Sequence, residues 1–235
     1  MQQDNPLFSA ALYYYDKSHA SDLGSEVEST LTRFGFFPPE KICAGKLTRN
    51  RFRAFSKCEK DVFSRAYSEP DLAVVRMASG NSRVVSEYWE VIWSFNFLKY
   101  RASRQENSAF KPWNVFHLYS TYGLLRQDGN GESFLACVSN LIDVLQPFYG
   151  QIDDLSNFVK LDHRAFRPEQ THPVFWGNYW DKHYQAQNGI EDLGMIKGLV
   201  IEEKSEGTLF TLTDNLFDHS SEKCEEMRKR ILQAT

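Results

Sequence analysis

The chain has 235 residues (27.3 kDa), of which 42% are hydrophobic and 14% aromatic, with 27 Lys/Arg against 31 Asp/Glu, a net charge of −4 and a pI near 5.9. That much apolar side chain builds a core and excludes a disordered chain, and the acidic balance excludes a dedicated nucleic-acid binder, whose footprint is a basic stripe. No apolar run reaches the roughly 18 residues of a membrane-spanning helix, and the first residues lack the basic start and apolar stretch of a secretory signal, so the expectation is a cytoplasmic protein with no membrane role.

In chain order, LFSAALYYYD (7–16) alternates Phe8, Ala10, Leu12 and Tyr14 with Ser9, Ala11, Tyr13 and Tyr15, which predicts a strand. In SDLGSEVESTLTRFGF, Leu23, Val27, Leu31 and Phe34 fall at helical spacing, Ser21 or Ser25 offers a cap and Gly35 a stop. Residues 41–68 are ambiguous, with KLTRNRFRAFSK readable as a basic edge. LAVVRMAS (72–79), the turn at 79–82 and VVSEYWEVIWSFNFLKY predict a long β-hairpin, with Val85, Trp89, Val91, Trp93, Phe95 and Phe97 on one face.

WNVFHLYSTYG (113–123) predicts a further strand, and ESFLACVSNLIDVLQPF a helix striped by Phe134, Val138, Leu141, Ile142 and Leu145 and stopped by Pro147. Residues 149–161 read as short extended pieces. MIKGLVIEEKSEGTLFTLTDN (195–215) predicts a hairpin turning at Ser205–Glu206–Gly207, and SSEKCEEMRKRILQ a terminal helix with its basic residues late, where the helix dipole favours them. The resulting expectation is an α+β fold, mainly antiparallel sheet with two to three covering helices, in a single domain over 1–235. Two loosely duplicated strand–helix–hairpin halves, 1–100 and 112–235, are a further expectation.

Chemistry is sparse. No nucleophile elbow, phosphate loop, dinucleotide fingerprint or HExxH helix is present. DGNGE (128–132) lacks the repeated oxygen ligands of a calcium loop and reads as a turn before a helix. Cys43, Cys58, Cys137 and Cys224 form no CxxC pair, which fits reduced structural thiols. His163, His172 and His183 lie too far apart to share one face of one element, so no metal and no other cofactor is expected. An enzymatic alternative would assemble His172, His183 and Asp181 in three dimensions. The neighbouring carboxylates Asp153–Asp154, Glu191–Asp192 and Glu202–Glu203 would point to opposite faces of an extended segment and form no acid–base dyad.

Charge is segregated: residues 41–104 hold thirteen Lys/Arg against six Asp/Glu, and residues 181–226 eleven Asp/Glu against four Lys. Beside the acidic third sits HPVFWGNYWDKHY. If extended, Phe175, Gly177, Tyr179 and Asp181 face one way and Val174, Trp176, Asn178, Trp180 and Lys182 the other. Phe175 and Trp176 read as core, Gly177 as a bulge or a bend where something packs close, and Tyr179 and Trp180, followed by a polar run, as the solvent boundary where interfaces recruit such side chains.

The stretch PVFWGNYWDKHYQAQNGIEDL, the hairpin ending in GTLFTLTDNLFD and the charged final helix resemble immunity proteins of bacterial polymorphic-toxin and type VI secretion systems. The resemblance rests on Phe175, Trp176, Gly177, Asn178 and Tyr179, then Gly189 and Leu193, then residues 208–218, and covers about the last 65 residues of the sequence. It implies a non-enzymatic protein that occludes a cognate toxin. The expected partner-binding set is Tyr179, Trp180, Asp181, Glu191, Asp192, Glu202 and Glu203. A structural or scaffold module without a dedicated ligand is the alternative.

Overall fold

The computed structural model describes residues 7–15, 22–45, 53–54, 74–79, 88–94, 113–158, 173–190 and 192–234. The first alternating run forms β1 (Leu7–Tyr15), and every side chain from Phe8 to Tyr14 is buried. Burial of both pleat faces marks a strand with material packed on each side. In α1 (Leu23–Arg33), the stripe of Leu23, Val27 and Leu31 is buried. Its end is a Schellman motif: Gly35 takes φ +80°, Phe36 N donates to the Leu31 carbonyl at 2.8 Å and Gly35 N to that of Thr32 at 3.3 Å. Ser25 lies inside this helix rather than at its cap, a position taken by Asp22.

The basic, ambiguous stretch contributes β2 (Lys41–Gly45) and the two-residue β3 (Arg53–Ala54), which ends the sheet. β4 (Val74–Ser79) and β5 (Trp89–Ser94) pair antiparallel with Met77 opposite Val91, the expected hairpin. Trp89, Val91 and Trp93 share its buried face, while Val85, Phe95, Phe97, the 80–82 turn and the 100–112 boundary lie outside the described residues. β6 (Trp113–Thr121) runs into the short α2 (Tyr122–Leu125), and the glycine-rich turn leads to α3 (Asn130–Leu145). All five expected stripe residues of α3 are buried, each contributing about 1.5–3 kcal/mol of transfer free energy.

There follow β7 (Tyr149–Asp154), the single turn α4 (Leu155–Phe158), β8 (Gly177–Asp181), α5 (Lys182–Gln187), β9 (Val200–Glu203), β10 (Gly207–Thr211) and α6 (Glu222–Ala234). The fold is α+β: one ten-stranded sheet in the order β3-β2-β4-β5-β6-β1-β7-β8-β10-β9, every pair antiparallel. Among the described residues α1, α3 and α6 are the long helices, and the others are four to six residues.

The two halves of the chain interlock. β1 pairs only with β6 and β7, both from the second half, with Ala11 opposite His117 on one side and Gln151 on the other. Phe8 meets Phe134 of α3 edge-on at 5.9 Å, which places α3 over the face carrying Phe8, Ala10, Leu12 and Tyr14. The opposite face carries Tyr13, in ring contact with Trp113 and Tyr149, and α5 folds beneath it through Tyr184, 5.3 Å from the Tyr149 ring.

Burial pushes the phenols of Tyr13, Tyr122, Tyr149 and Tyr179 well above the ordinary tyrosine value of 10.0. The unfolded chain releases these protons near pH 10 while the folded chain holds them, so their contribution is complete below pH ~10 and is lost as pH rises further. The urea midpoint is therefore expected to fall steeply above pH ~10; a flat profile to pH ~11.5 would contradict this packing.

Candidate partner-binding surface

Glycines set the geometry of the sheet's C-terminal flank. Gly177 opens β8 opposite Ile152, where an added Cβ would lie 3.0 Å from the Ile152 Cβ. The close approach expected there is present, within a regular strand rather than a bulge. Gly207 opens β10 opposite Asp181, and a Cβ would lie 2.3 Å from the Trp180 carbonyl oxygen. Trp176 is fully buried against Phe8 and donates its indole N–H to Thr213 Oγ1 at 2.8 Å; Phe175 is 4% exposed. Both are core, as their sequence context implies.

Tyr179 and Trp180 are not at the solvent boundary. They are 1% and 2% exposed, on opposite faces of β8. The reason is sheet width: β10 and β9 extend the sheet beyond β8, and α5 returns beneath Trp180, whose ring meets Phe210 at 4.7 Å and Tyr184 at 5.6 Å. The polar run that suggested a surface is α5 itself. Neither aromatic side chain is available to a partner in this fold.

The expected carboxylates do not form one patch. Asp181 caps α5, accepting from Tyr184 N at 2.6 Å, and burial, opposed by that hydrogen bond, raises its pKa above the ordinary carboxylate value. Asp192 caps the next turn through Gly194 N at 2.7 Å. Glu191 lies outside the described residues, as do His163 and His172. His183 is exposed on α5 beside Asp181, on which its charge and backbone N–H act, and among the described residues no group of three metal-ligating side chains occurs.

Glu202 and Glu203 do share an edge. Among the described residues β9 is the last strand of the sheet, and it is exposed along most of its length, with Val200 48% exposed. Glu202 projects over α3, where the nearly buried Lys204 ammonium bridges Glu202 Oε1 (2.8 Å), Asp143 Oδ2 (2.9 Å) and Ser139 Oγ (2.7 Å). Burial alone would raise the Glu202 carboxyl, but the hydrogen bonds from Lys204 and Ser139 hold it below its ordinary value. Glu203 projects to the other face, accepting from Thr208 Oγ1 at 3.3 Å. Lys182 donates to the Ser205 carbonyl at 2.7 Å, and Asp181, Glu206 and Asp143 all act on the Tyr179 hydroxyl. Among the described residues near the hairpin, Asp143, Asp181, Glu202, Glu203 and Glu206 lie on one or other face with only Lys182 and Lys204 beside them, Lys204 pairing with Glu202 and Asp143 and Lys182 donating to a carbonyl.

A second polar centre escaped the sequence reading. Asp153, 1% exposed, accepts from Asp154 N (2.7 Å), Asn157 Nδ2 (3.0 Å), Trp176 N (3.0 Å) and Arg228 Nη2 (3.3 Å). Asp154 instead accepts from the Tyr122 hydroxyl at 2.9 Å, which lies 2.8 Å from His219 Nε2. The two neighbouring aspartates make different hydrogen bonds, and His219 lies between them, its Nδ1 3.7 Å from Asp153 Oδ1 and its Nε2 on the hydroxyl that Asp154 accepts from. Their environment is nearly closed and densely hydrogen-bonded, with His219 Nδ1 buried and left without a hydrogen bond among the described residues, and it suits a structural clasp.

No protein-family profile matches the chain, and no curated protein matches it. Among solved structures, the Pseudomonas aeruginosa T6SS protein PA0821 is similar, with a TM-score of 0.60 at 13% identity over 89% of this chain and 66% of that one. This chain therefore spans just under two thirds of that protein's length, and at this identity the likeness is one of fold.

Proposed function

We propose that the protein is an immunity protein of a type VI secretion system, which binds a cognate toxin and occludes it. The observation that carries this reading is the open acidic edge of the sheet at β9, whose carboxylates outnumber the lysines around them. Support comes also from the fold likeness to a protein whose name places it in such a system. An acidic edge speeds encounter with a basic cleft, the kind of surface a nuclease toxin presents to its own substrate, and close packing after docking slows release. The mechanism asks for no catalytic residue in this chain.

The test is co-expression with the product of the neighbouring open reading frame. Growth protection and co-purification as a stable complex are expected. A neighbouring product that is not toxic, or that is toxic and not neutralised, would overturn the reading.

A further inference from the structure

We infer that β9 accepts an extended, lysine- or arginine-rich segment of the partner protein as an eleventh strand, added antiparallel or parallel to the open edge of the sheet. The inference deepens the reading above, naming the docking mode at the same surface, and rests on it only for the partner's identity.

The backbone supplies the argument. Lys204 N donates to the Gly207 carbonyl at 2.8 Å and Gly207 N to that of Lys204 at 3.4 Å, so this pair exchanges both ladder bonds. Alternation along an antiparallel pair then turns the N–H and C=O of Glu202 and Val200 toward β10, and those of Ile201 and Glu203 away from it. Neither Ile201 nor Glu203 has another backbone partner among the described residues. Two outward donors and two outward acceptors, spaced one residue apart on an exposed strand, are the template used in strand addition.

Charge selects the occupant. If a second copy paired through both outward groups, Ile201 of one copy would lie against Glu203 of the other, and Glu202 would fall directly opposite Glu202. Like charges facing across a strand pair destabilise it, so the edge is guarded against its own kind. A basic strand meets the opposite situation: Glu202 is exposed on one face, Glu203 on the other, and Asp143 and Glu206 stand beside them. The same carboxylates that forbid self-pairing complement lysine or arginine.

The experiment uses the full-length chain and two capped ten-residue peptides, one alternating lysine with valine and one alternating glutamate with valine, read by NMR-detected amide exchange. Saturation with the lysine peptide should slow exchange at the Ile201 and Glu203 amides at least about tenfold, and the glutamate peptide should leave them unchanged. Glu203→Pro removes an outward N–H that no ladder bond uses, and should weaken lysine-peptide binding about fivefold beyond Glu203→Gln, which removes only the charge. Absence of binding, equal protection by both peptides, or equal affinity of the proline and glutamine variants overturns the proposal. Toxin neutralisation without protection at these amides overturns the docking mode alone; peptide docking without neutralisation overturns the functional reading alone.

Discussion

Asp153→Ala is expected to lower the unfolding free energy by about 3 kcal/mol, the low end of the range for removing one partner of a buried charge pair, because Arg228 keeps a second carboxylate in Glu225. The carboxylate ties β7, α4, the segment entering β8 and α6 together. Its removal leaves the buried Trp176 N–H without an acceptor, about 1–3 kcal/mol by itself, and takes one of two carboxylates from Arg228, whose side chain is 17% exposed and still pairs with Glu225. Arg228 retains the Val174 and His219 carbonyls, which keeps the cost from rising further. Asp153→Asn preserves the shape and some of the accepting capacity, so it should cost less than the alanine variant. Urea unfolding followed by tryptophan fluorescence measures both; an alanine variant within about 1 kcal/mol of the parent would show that the clasp contributes little.

Gly207→Ala should cost about 3 kcal/mol or more, beyond the usual range for an added methyl group. The clash is with main chain: 2.3 Å to the Trp180 carbonyl oxygen and 2.7 Å to the Asp181 Cα, with the Tyr179 hydroxyl at 2.8 Å. No side-chain rotation relieves it, so β10 must shift from β8 and carry β9 with it. Loss of stability should therefore be accompanied by faster amide exchange through residues 200–211, measured by mass spectrometry. A variant with parental stability and exchange would mean that β8 and β10 are not seated as closely as described.

Much of this fold is legible locally because its signals are short-range. The 3.6-residue stripe of α3 is matched by five buried side chains, and the period-2 face of Trp89, Val91 and Trp93 is buried within the β4–β5 hairpin. The β9–β10 turn falls where Ser205–Glu206–Gly207 places it. What local pattern does not hold is strand order. Nothing in LFSAALYYYD says that β1 will insert between β6 and β7, far along the chain, although its unbroken burial is the imprint of that central position.

The misplacement of Tyr179 and Trp180 has the same origin. A polar run after an aromatic segment signals a nearby surface, but whether the strand lies at an edge depends on which later strands pair beside it. Here β10 covers β8, and the edge, with its exposed carboxylates, passes to β9. Glu202 and Glu203 were identifiable as acidic, but their division between two faces and the Lys204 bridge come from pairing and from α3. The Asp153–Arg228 contact joins residues 75 positions apart, and no spacing rule reaches that far.

On the proposed function, the β9 edge is the surface through which a toxin is held. The most direct test is calorimetric titration of the neighbouring gene's product with the parent chain and with Glu203→Lys. That side chain is exposed, caps no helix and accepts a hydrogen bond from Thr208, so its reversal leaves the core alone. Binding weakened about tenfold or more, with the thermal midpoint unchanged, is the predicted result. Undiminished affinity in the charge-reversed variant would contradict the account.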